Sequence, residues 1–568
     1  MIKSARRAVP FAVVASVLLV GCSGGPQQPA PGATPAARPA VEETTPVDGD
    51  WVQRRLSFAP NSLNPLFVSS ETEQYIVELS FEGLLTFDAQ FQPVIGKNLA
   101  ETIAVSDDHR VYTIKLKPWK WHDGVPITSD DFIWMHEMVL DPTVPAFSFK
   151  DTHEQIEKIE KIDDLNFRVT LKEASAIGIF LAAIDCLPKH VFMKEKEEFE
   201  KANPGKKWKI DDSAFGRNPV GSGPYKFVSW DQNNTLSFER WEDYQGEKRH
   251  LKKVIFKVIQ DDSVALNALK AGDLDEMRLT TQQFARETDG PDFAPRLRKD
   301  KTTEWNYSYV GWNIKKWPQW FGDVRVRRAL ALAVDTKLII AKLKYGLFEP
   351  SLGIFAPSHW CFNKQLTPLP FDPEAARKLL EEAGFKDSDG DGFVDKDGVK
   401  FSFELYCNNA PSNVELAEVL KDYWKKVGVD AQIHPMEFAA LLAKVRAHEL
   451  PAWTAAWGTG VDPDYESNTW QSDMFDKGRN YGGYSNPEVD ALFEKGRRLF
   501  TREERAPIYA EIQKKIYEDQ AYLFMYHPNY LLGIDQRFKG VKLSPRGPFL
   551  VYPGMAAWWV PTPLQKFK

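Results

Sequence analysis

Apolar residues recur along most of the chain with either the period of strands or the period of helices. Residues 111–117 and 167–171 alternate apolar and polar side chains, which predicts two strands with one buried face. Residues 253–259 predict a further strand. The helix after it should be capped by Ser263 and should end at Gly272, because serine accepts from free N–H groups of a first turn and glycine adopts the left-handed conformation that ends helices.

Helical patterns also occur in the second half of the chain. Residues 323–334, 372–384 and 416–428 each place apolar side chains on one face. Thr501 and Glu504 form a capping box for a further helix that reaches Glu518, in which Pro507 predicts a local defect or kink. Alternating patterns precede and follow the third of these helices. Strands and helices in this order predict an α/β fold.

The first 22 residues have the pattern of an export signal. A basic head precedes an apolar run that is too short to span a membrane and that ends in Leu19-Val20-Gly21-Cys22, which resembles the bacterial lipobox. We expect residues 1–21 to be a lipoprotein signal peptide and Cys22 to carry the lipid. Residues 22–50 contain this cysteine and a Pro/Ala-rich stretch that predicts a disordered linker. The mature protein should therefore be exported and anchored to a membrane, facing the periplasm or the extracellular side.

The composition is that of an ordinary soluble protein. The 568 residues include 72 Lys plus Arg and 79 Asp plus Glu, which gives a net charge of −7. This balance argues against nucleic acid as a partner, because nucleic-acid binding usually requires a basic surface. The length suits roughly three or four domain-sized units and a cleft between lobes. The three cysteines after Cys22 allow one disulfide, for example Cys361 with Cys407, without fixing the pairing.

Five short sequence blocks occur in a characteristic order. They are NP at 64–65 with FEGL at 81–84, WHDG at 121–124, NPVGSGPY at 218–225, DVRVRRAL at 323–330 and DPEAARKLLEEAG at 372–384. Together they resemble the family 5 extracellular solute-binding proteins, the dipeptide and oligopeptide receptors of ABC importers. The resemblance covers essentially all of residues 51–568.

The resemblance implies an α/β fold of the periplasmic-binding-protein kind (class II, cluster C), with two lobes and an extra α/β domain inserted in the N-terminal half. On this basis we expect lobe I at residues 51–87, 214–303 and 535–568. The inserted accessory domain should occupy residues 88–213, and lobe II residues 304–534. The lobes would close on a ligand like a hinged trap.

The resemblance also implies where the ligand lies. Residues 456–465 resemble the cleft segment of the family, so the candidate ligand-binding residues are Trp457, Gly458, Gly460, Asp462, Asp464 and Tyr465. In peptide-binding members, an aspartate three residues after the tryptophan receives the α-ammonium of the peptide. Gly460 stands at that place here, so Asp462 or Asp464 would have to supply the carboxylate. The alternative is that Trp457 is a core residue and that Asp462 only caps a turn or helix.

The opposite wall of the cleft is expected near the start of the mature chain. Ser69, Ser70, Glu71 and Thr72 resemble the stretch of the family in which the protein main chain binds extended ligands. A ligand held by its own N–H and C=O groups is recognised largely without regard to its side chains. A plain polar loop is the alternative interpretation of these four residues.

These features predict a binding lipoprotein that captures peptides, or a peptide-like solute, and delivers them to the permease of an ABC importer. Alternatives are a receptor for a non-peptide ligand, such as an oligosaccharide or a metal chelate, and a signalling lipoprotein. A glycoside hydrolase is more distant, because only the abundance of carboxylates supports it. We expect no catalytic residues, no cofactor apart from a structural calcium ion, and a monomer.

The calcium expectation comes from an aspartate-rich loop. Asp387, Asp389, Asp391 and Asp395 take positions 1, 3, 5 and 9 of a calcium loop, with glycine at position 6. Position 12 holds Gly398 where a bidentate glutamate is usual. The alternative is an Asp/Gly-rich hairpin turn without an ion.

Overall fold

The computed structural model describes residues 43–68, 70–231, 235–549 and 551–567. The predicted signal peptide, Cys22, the linker up to residue 42 and Ser69 lie outside the described residues. Within these ranges, no helix combines the length and the apolar composition needed to cross a membrane.

The secondary structure alternates between strands and helices, as the apolar patterns predict. The strands are β1 Trp51–Leu56, β2 Thr86–Phe87, β3 Pro93–Val94, β4 Ala100–Val105, β5 Val111–Leu116, β6 Ile156–Asp163, β7 Asn166–Leu171, β8 Tyr225–Asp231, β9 Thr235–Arg240, β10 Lys253–Val258, β11 Glu276–Arg278, β12 Leu297–Thr303, β13 Asn306–Trp312, β14 Glu349–Pro350, β15 Asp395–Lys396, β16 Val399–Lys400, β17 Ser402–Asn408, β18 Asp430–Met436, β19 Ala452–Gly458, β20 Tyr522–His527 and β21 Asn529–Asp535. The α-helices are α1 Glu71–Ser80, α2 Ser129–Leu140, α3 Phe147–His153, α4 Gly178–Ala182, α5 Lys189–Ala202, α6 Asp262–Ala271, α7 Pro318–Phe321, α8 Val324–Leu332, α9 Thr336–Leu343, α10 Pro373–Glu382, α11 Pro411–Lys425, α12 Phe438–Arg446, α13 Ser467–Trp470, α14 Pro487–Arg497 and α15 Arg502–Glu518.

Three sheets organise the molecule into a two-lobed α/β fold. The seven-stranded sheet, in the order β12-β21-β11-β1-β10-β9-β8, defines lobe I. The six-stranded sheet, in the order β14-β20-β13-β19-β17-β18, defines lobe II. A four-stranded antiparallel sheet, in the order β4-β5-β7-β6, defines the accessory region.

The accessory sheet follows directly from the alternating sequence pattern. Ile114 of β5 lies opposite Phe167 of β7, and Tyr112 lies opposite Val169. All four side chains are buried. Because successive residues of a strand point to opposite faces, these side chains fill one core and the polar residues between them face outward.

The helix ends also follow local chemistry, with one difference. Asp261, rather than Ser263, caps α6, because its carboxylate accepts from the N–H groups of Ser263 and Val264 at 2.9 and 2.8 Å. Gly272 ends this helix at φ 91°, as expected. Pro507 lies inside α15, where it can donate no backbone hydrogen bond.

The chain passes from lobe I to lobe II and back at two adjacent places. The first passage lies between β12 and β13, and the second lies between β20 and β21. The two are joined by a hydrogen bond of 2.9 Å from the backbone N–H of Glu304 to the carbonyl oxygen of Pro528. Strand β21 pairs with β11 and β12 in lobe I. The predicted lobe II, which extends to residue 534, therefore includes a strand that belongs to the lobe I sheet.

The expected disulfide is wrong. Cys186, Cys361 and Cys407 are all free and buried. Cys407 lies in the lobe II core that contains Val310, and Cys361 lies in the core that contains Tyr309. Because these neighbouring residues of β13 point to opposite faces of the sheet, the two thiols belong to separate cores and cannot meet.

Lobe I is closed by a buried ionic network that joins distant parts of the chain. Arg537 is fully buried, and its guanidinium contacts Asp50 at 3.2 Å and Asp275 at 3.0 Å. Lys566 also contacts Asp275, at 2.8 Å. The network therefore holds the residue before β1, the residue before β11 and the last part of the chain together.

We expect Arg537→Ala to lower the free energy of unfolding by about 3–5 kcal/mol, because the buried carboxylates of Asp50 and Asp275 would lose their shared cation. Urea unfolding followed by tryptophan fluorescence measures this. As a control, Arg377→Ala removes an exposed arginine paired with exposed Glu374 and should cost less than about 1 kcal/mol. Equal effects of the two substitutions would contradict a stabilising role of the network.

Candidate ligand-binding cleft

A cavity of about 860 Å³ lies between the two lobes and the accessory region. Lobe I contributes α1, the turn after it, and residues 244–249, 546–549 and 551–556. The accessory region contributes residues around 96–98 and 180–186, and lobe II contributes the segment after β19. The volume falls within the range of roughly 300–1,000 Å³ that small-molecule sites occupy.

Aromatic rings form much of the cavity wall. Eleven of them line it: Tyr75, Phe81, Phe87, Phe91, Phe149, Phe180, Tyr225, Tyr244, Tyr465, Phe549 and Tyr552. Such rings provide broad apolar contact, while tyrosine hydroxyls add polar contacts. The wall therefore suits a ligand with both apolar and polar parts.

The lobe II wall is built from the turn that follows β19. Asp462 caps the short 3-10 helix Pro463–Glu466 by accepting from the N–H of Asp464 at 2.9 Å. Both carboxylate oxygens of Asp462 are also bound by Arg505, at 2.5 and 2.7 Å. Asp462 and Arg505 are both buried, and this contact raises the pKa of the arginine further.

Asp464 is bound within lobe II as well. Its carboxylate accepts from the Nε of Arg497 at 3.0 Å and from the hydroxyl of Tyr509 at 3.1 Å. Burial raises the pKa of Asp464, and Arg497 partly opposes that shift. Because Asp462 and Asp464 both have arginine partners in this structure, neither offers an unpaired carboxylate to a ligand amine.

The other residues of the predicted cleft segment divide into two groups. Gly460 and Tyr465 line the cavity, and the tyrosine side chain is exposed. Trp457 and Gly458 are not among the lining residues. The Trp457 ring packs against the lobe II core, nearly parallel to Tyr309, and Gly458 pairs with Asn306 in the sheet. Trp457 is therefore partly buried against the core, and its role in ligand binding stays a prediction.

The N-terminal wall is displaced along the chain from the predicted stretch. Ser70 caps α1 by accepting from the N–H of Glu73 at 3.2 Å, and Glu71 and Thr72 begin the helix. Ser70 and Thr72 are not among the lining residues, and the side chain of Glu71 lies outside the described part of the chain. Gln74, Tyr75 and Glu78, further along the same helix, face the cavity instead.

Four carboxylates of the cavity wall were not found by sequence reasoning: Glu78, Glu82, Asp185 and Glu247. Glu78 and Glu82 flank the end of α1, and Asp185 follows α4 in the accessory region. Burial raises the pKa of Glu78 to about 7, with Asp185 and Glu82 as smaller contributors, and raises the pKa of Asp185 to about 6. Glu82 lies two residues before the end of the FEGL block, but no local pattern marked Asp185.

Contacts between the N-terminal half and lobe II border the cavity. Arg502 donates to the carbonyl oxygens of Gln90 and Phe91, each at 2.9 Å. The rings of His109 and Phe500 are stacked, with centroids 3.9 Å apart. These contacts join the accessory region to lobe II in the present conformation.

The aspartate-rich loop lies in lobe II, away from the cavity. Asp387, Asp389 and Asp391 each place one carboxylate oxygen within 4.8 Å of the others. Asp395 instead accepts from the N–H and the hydroxyl of Ser388, at 2.9 and 2.6 Å. The Nζ of Lys400 lies 3.4 Å from Asp391. Three of the four predicted ligands are therefore close together, and the fourth is directed to a serine.

Two lobes that are joined by paired chain passages and enclose a lined cavity define a class of proteins that hold a solute between hinged lobes. The family model described as "Bacterial extracellular solute-binding proteins, family 5 Middle" matches residues 95–478, which is more than half of the chain. The chain therefore belongs to this family, which is a family of solute-binding proteins and not of enzymes.

Individual relatives cover nearly the whole chain. The oligopeptide-binding protein AppA of Bacillus subtilis is 27% identical over 567 residues, which are 98% of this chain and 99% of that protein. The structure of AppA in complex with a nonapeptide has a TM-score of 0.73 and covers 91% of this chain and 100% of that chain. NikZ of Campylobacter jejuni in complex with Ni(L-His) is 26% identical, has a TM-score of 0.72 and covers 90% of this chain and 99% of that chain.

A buried carboxylate behind the cleft segment provides a pH-dependent prediction. Burial raises the pKa of Glu466 to about 7, against an ordinary value of 4.5. The folded protein therefore favours the protonated form, and this stabilisation is present below pH 4.5 and is lost as the pH rises through 7. We expect Glu466→Gln to raise the free energy of unfolding by on the order of 2–3 kcal/mol at about pH 8, and by little at about pH 4. Urea unfolding at both pH values measures the effect, and an equal change at both would contradict this origin.

If the aspartate-rich loop binds calcium, thermal unfolding should occur at a higher temperature with calcium than with a chelator, because an ion bound to the folded state stabilises it. Asp389→Asn should abolish the difference without lowering the melting temperature in chelator. The same melting temperature in both solutions would show that the loop is a turn without an ion.

Proposed function

We propose that this protein is the substrate-binding lipoprotein of an ABC importer, that it captures peptides in the cavity between its lobes, and that it delivers them to the permease. The observation that carries the proposal is the cavity of about 860 Å³ with walls from both lobes and the accessory region. A ligand in this cavity would contact both lobes and the accessory region, so its binding would favour the closed arrangement of the lobes.

Two further observations support peptides as the ligand. The relative AppA is described as an oligopeptide-binding protein and has been solved with a nonapeptide, and it matches nearly the entire chain. The aromatic wall offers apolar surfaces for varied side chains, while the main chain at Gly460, which lines the cavity, can approach a ligand closely. Recognition here involves no chemical change of the ligand.

A metal chelate is the second candidate. NikZ, which matches over a similar share of the chain, was solved with Ni(L-His). The glycine at position 460 also removes the aspartate that peptide-binding members use for the α-ammonium. Within the cleft segment, Asp462 and Asp464 do not replace that aspartate, because arginines bind both.

Native mass spectrometry of the protein purified from its own periplasm or culture tests the proposal. We expect a bound population of peptides, and denaturing mass spectrometry should return them with unchanged covalent structure. A bound metal complex would favour the second candidate. Recovery of hydrolysed products, or of no solute after refolded protein is offered a peptide mixture, would contradict the proposal.

Tyr465 tests the position of the site. We expect Tyr465→Ala to weaken the binding of the co-purified ligand about twofold to tenfold, because one aromatic contact in the cavity would be lost. The melting temperature should change little, since the side chain is 47% exposed. The matched control is Phe438→Ala, which removes a similarly exposed ring of lobe II outside the cavity. Calorimetry that found equal affinities for both variants would place the site elsewhere.

We further propose that Cys22 carries the lipid that anchors the mature protein. Cys22→Ser should prevent the incorporation of labelled palmitate and move the protein from the detergent phase to the aqueous phase after Triton X-114 partitioning. Cys186→Ser serves as a control, because this thiol is buried inside the fold and should not affect anchoring. Labelled Cys22→Ser protein would contradict the assignment.

A further inference from the structure

Glu78 and Asp185 are two carboxylates of the cavity wall that form no ion pair among the described residues. Glu78, on α1 of lobe I, accepts a hydrogen bond of 2.8 Å from the amide of Gln74. Asp185, in the accessory region, accepts no hydrogen bond from the part of the chain that the structure describes. Both side chains line the cavity, whereas the lobe II carboxylates near it are paired with arginines.

The two carboxylates lie on different elements and face the same space. A Cβ atom placed on Gly83 would lie 3.7 Å from Oδ1 of Asp185, so Asp185 lies beside the turn that ends α1. Glu78 and Asp185 are close enough to repel each other, and this repulsion contributes to the raised pKa of Glu78. Two like charges in a partly desolvated space are stabilised by a cation between them.

Two other carboxylates of this wall, Glu82 and Glu247, already accept hydrogen bonds from tyrosine hydroxyls. Glu82 accepts hydrogen bonds from the hydroxyl of Tyr244 and the amide of Asn98, and the charges of Arg249 and Lys117 also act on it. Arg546 faces Glu78 from the C-terminal segment, but its guanidinium donates to the carbonyl oxygen of Thr459 at 3.1 Å. Neither Arg546 nor the cations around Glu82 forms an ion pair with Glu78 or Asp185 among the described residues.

We infer that the cavity selects ligands with a primary ammonium group, and that Glu78 of lobe I and Asp185 of the accessory region receive this group. A ligand amine between the two carboxylates would replace water with charge-assisted hydrogen bonds and would relieve their mutual repulsion. The ligand's positive charge would thus be held by the wall opposite lobe II. In lobe II itself, Asp462 and Asp464 are already paired with arginines. The ammonium group can belong to a peptide or to a polyamine. Where the ligand is a peptide, this inference rests on the proposed function.

The test uses the full mature protein, freed of ligand by unfolding and refolding, and calorimetric titration with defined probes. The peptide probes are alanine peptides of several lengths with a free amino terminus, the same peptides N-acetylated, and N-acetylated peptides with one lysine. Spermidine is the non-peptide probe. We expect probes with an ammonium group to bind roughly tenfold or more tightly than the acetylated alanine peptides.

Substitutions assign the effect to the two carboxylates. Asp185→Asn and Glu78→Gln keep the shape of each side chain and remove its charge, so each should reduce the preference for ammonium probes and the double variant should abolish it. Asp164→Asn and Glu157→Gln are the matched controls, since they remove exposed carboxylates of the accessory region outside the cavity. Circular dichroism and thermal unfolding verify that each variant is folded.

A pH series provides a readout that a purely structural role would not change. The carboxylates must be ionised to bind an ammonium group, and burial raises their pKa values to about 7 and about 6. The affinity for lysine-containing probes should therefore rise between about pH 5 and about pH 8, while that for acetylated alanine peptides stays constant. The groups that face Glu78 are Gln74 on its own helix, Asp185, Glu82 and Arg546. Burial also raises the pKa of Glu82, so a rise that persists in the double variant would point to Glu82.

The outcomes separate this inference from the proposed function. Equal affinity for charged and acetylated peptides would overturn the ammonium inference and leave peptide binding standing. Binding of spermidine without any peptide would overturn peptide capture and support the ammonium inference. An ammonium preference that persists in the double variant would overturn the assignment to Glu78 and Asp185, and binding of no probe would overturn both proposals.

Discussion

The chain leaves lobe I after β12 and returns to it before β21, and the hydrogen bond from Glu304 to Pro528 holds these two passages side by side. This arrangement requires β21, near the end of the chain, to complete a sheet that β1 began. Arg537, directly beyond β21, stabilises the closure through Asp50 and Asp275. Lobe II can then move as one body about the paired passages, and the cavity forms where the lobes face each other.

The distribution of charge around the cavity follows from what each wall must do for the fold. In lobe II, Asp462 is paired with Arg505 of α15, and Asp464 is paired with Arg497 of α14. These ion pairs hold the turn after β19 against the two helices, so both negative charges are balanced within the protein. The opposite wall has Glu78 and Asp185 without such partners. A buried carboxylate needs one strong cationic partner, and either an arginine of the protein or a bound ligand cation can be that partner. A carboxylate whose ion pair fixes a turn is therefore not available to bind a ligand.

Much of the fold could be predicted from the sequence, because local patterns determine local structure. The strands at residues 111–117, 167–171 and 253–259 and the helix that Asp323 caps are confirmed, and the ordered blocks led to the correct family. The errors arose where spacing was ambiguous or where long-range contacts decide. Asp261 and Ser263 can both cap α6, and the two residues differ only in where the first turn begins. The disulfide failed because two cores separate Cys361 from Cys407.

The sequence by itself determined the secondary structure, the family and the segment from which the lobe II wall is built, since each depends on neighbouring residues or on ordered motifs. Only the tertiary structure decided which side chains of that segment reach the cavity. Trp457 differs from Tyr465 in this respect because strand pairing turns Trp457 toward a core. Asp462 lines the cavity, but its carboxylate is bound to Arg505. Glu78 and Asp185 are separated by about a hundred positions in the chain, and nothing in their local sequence indicates that folding places both on the wall of one cavity.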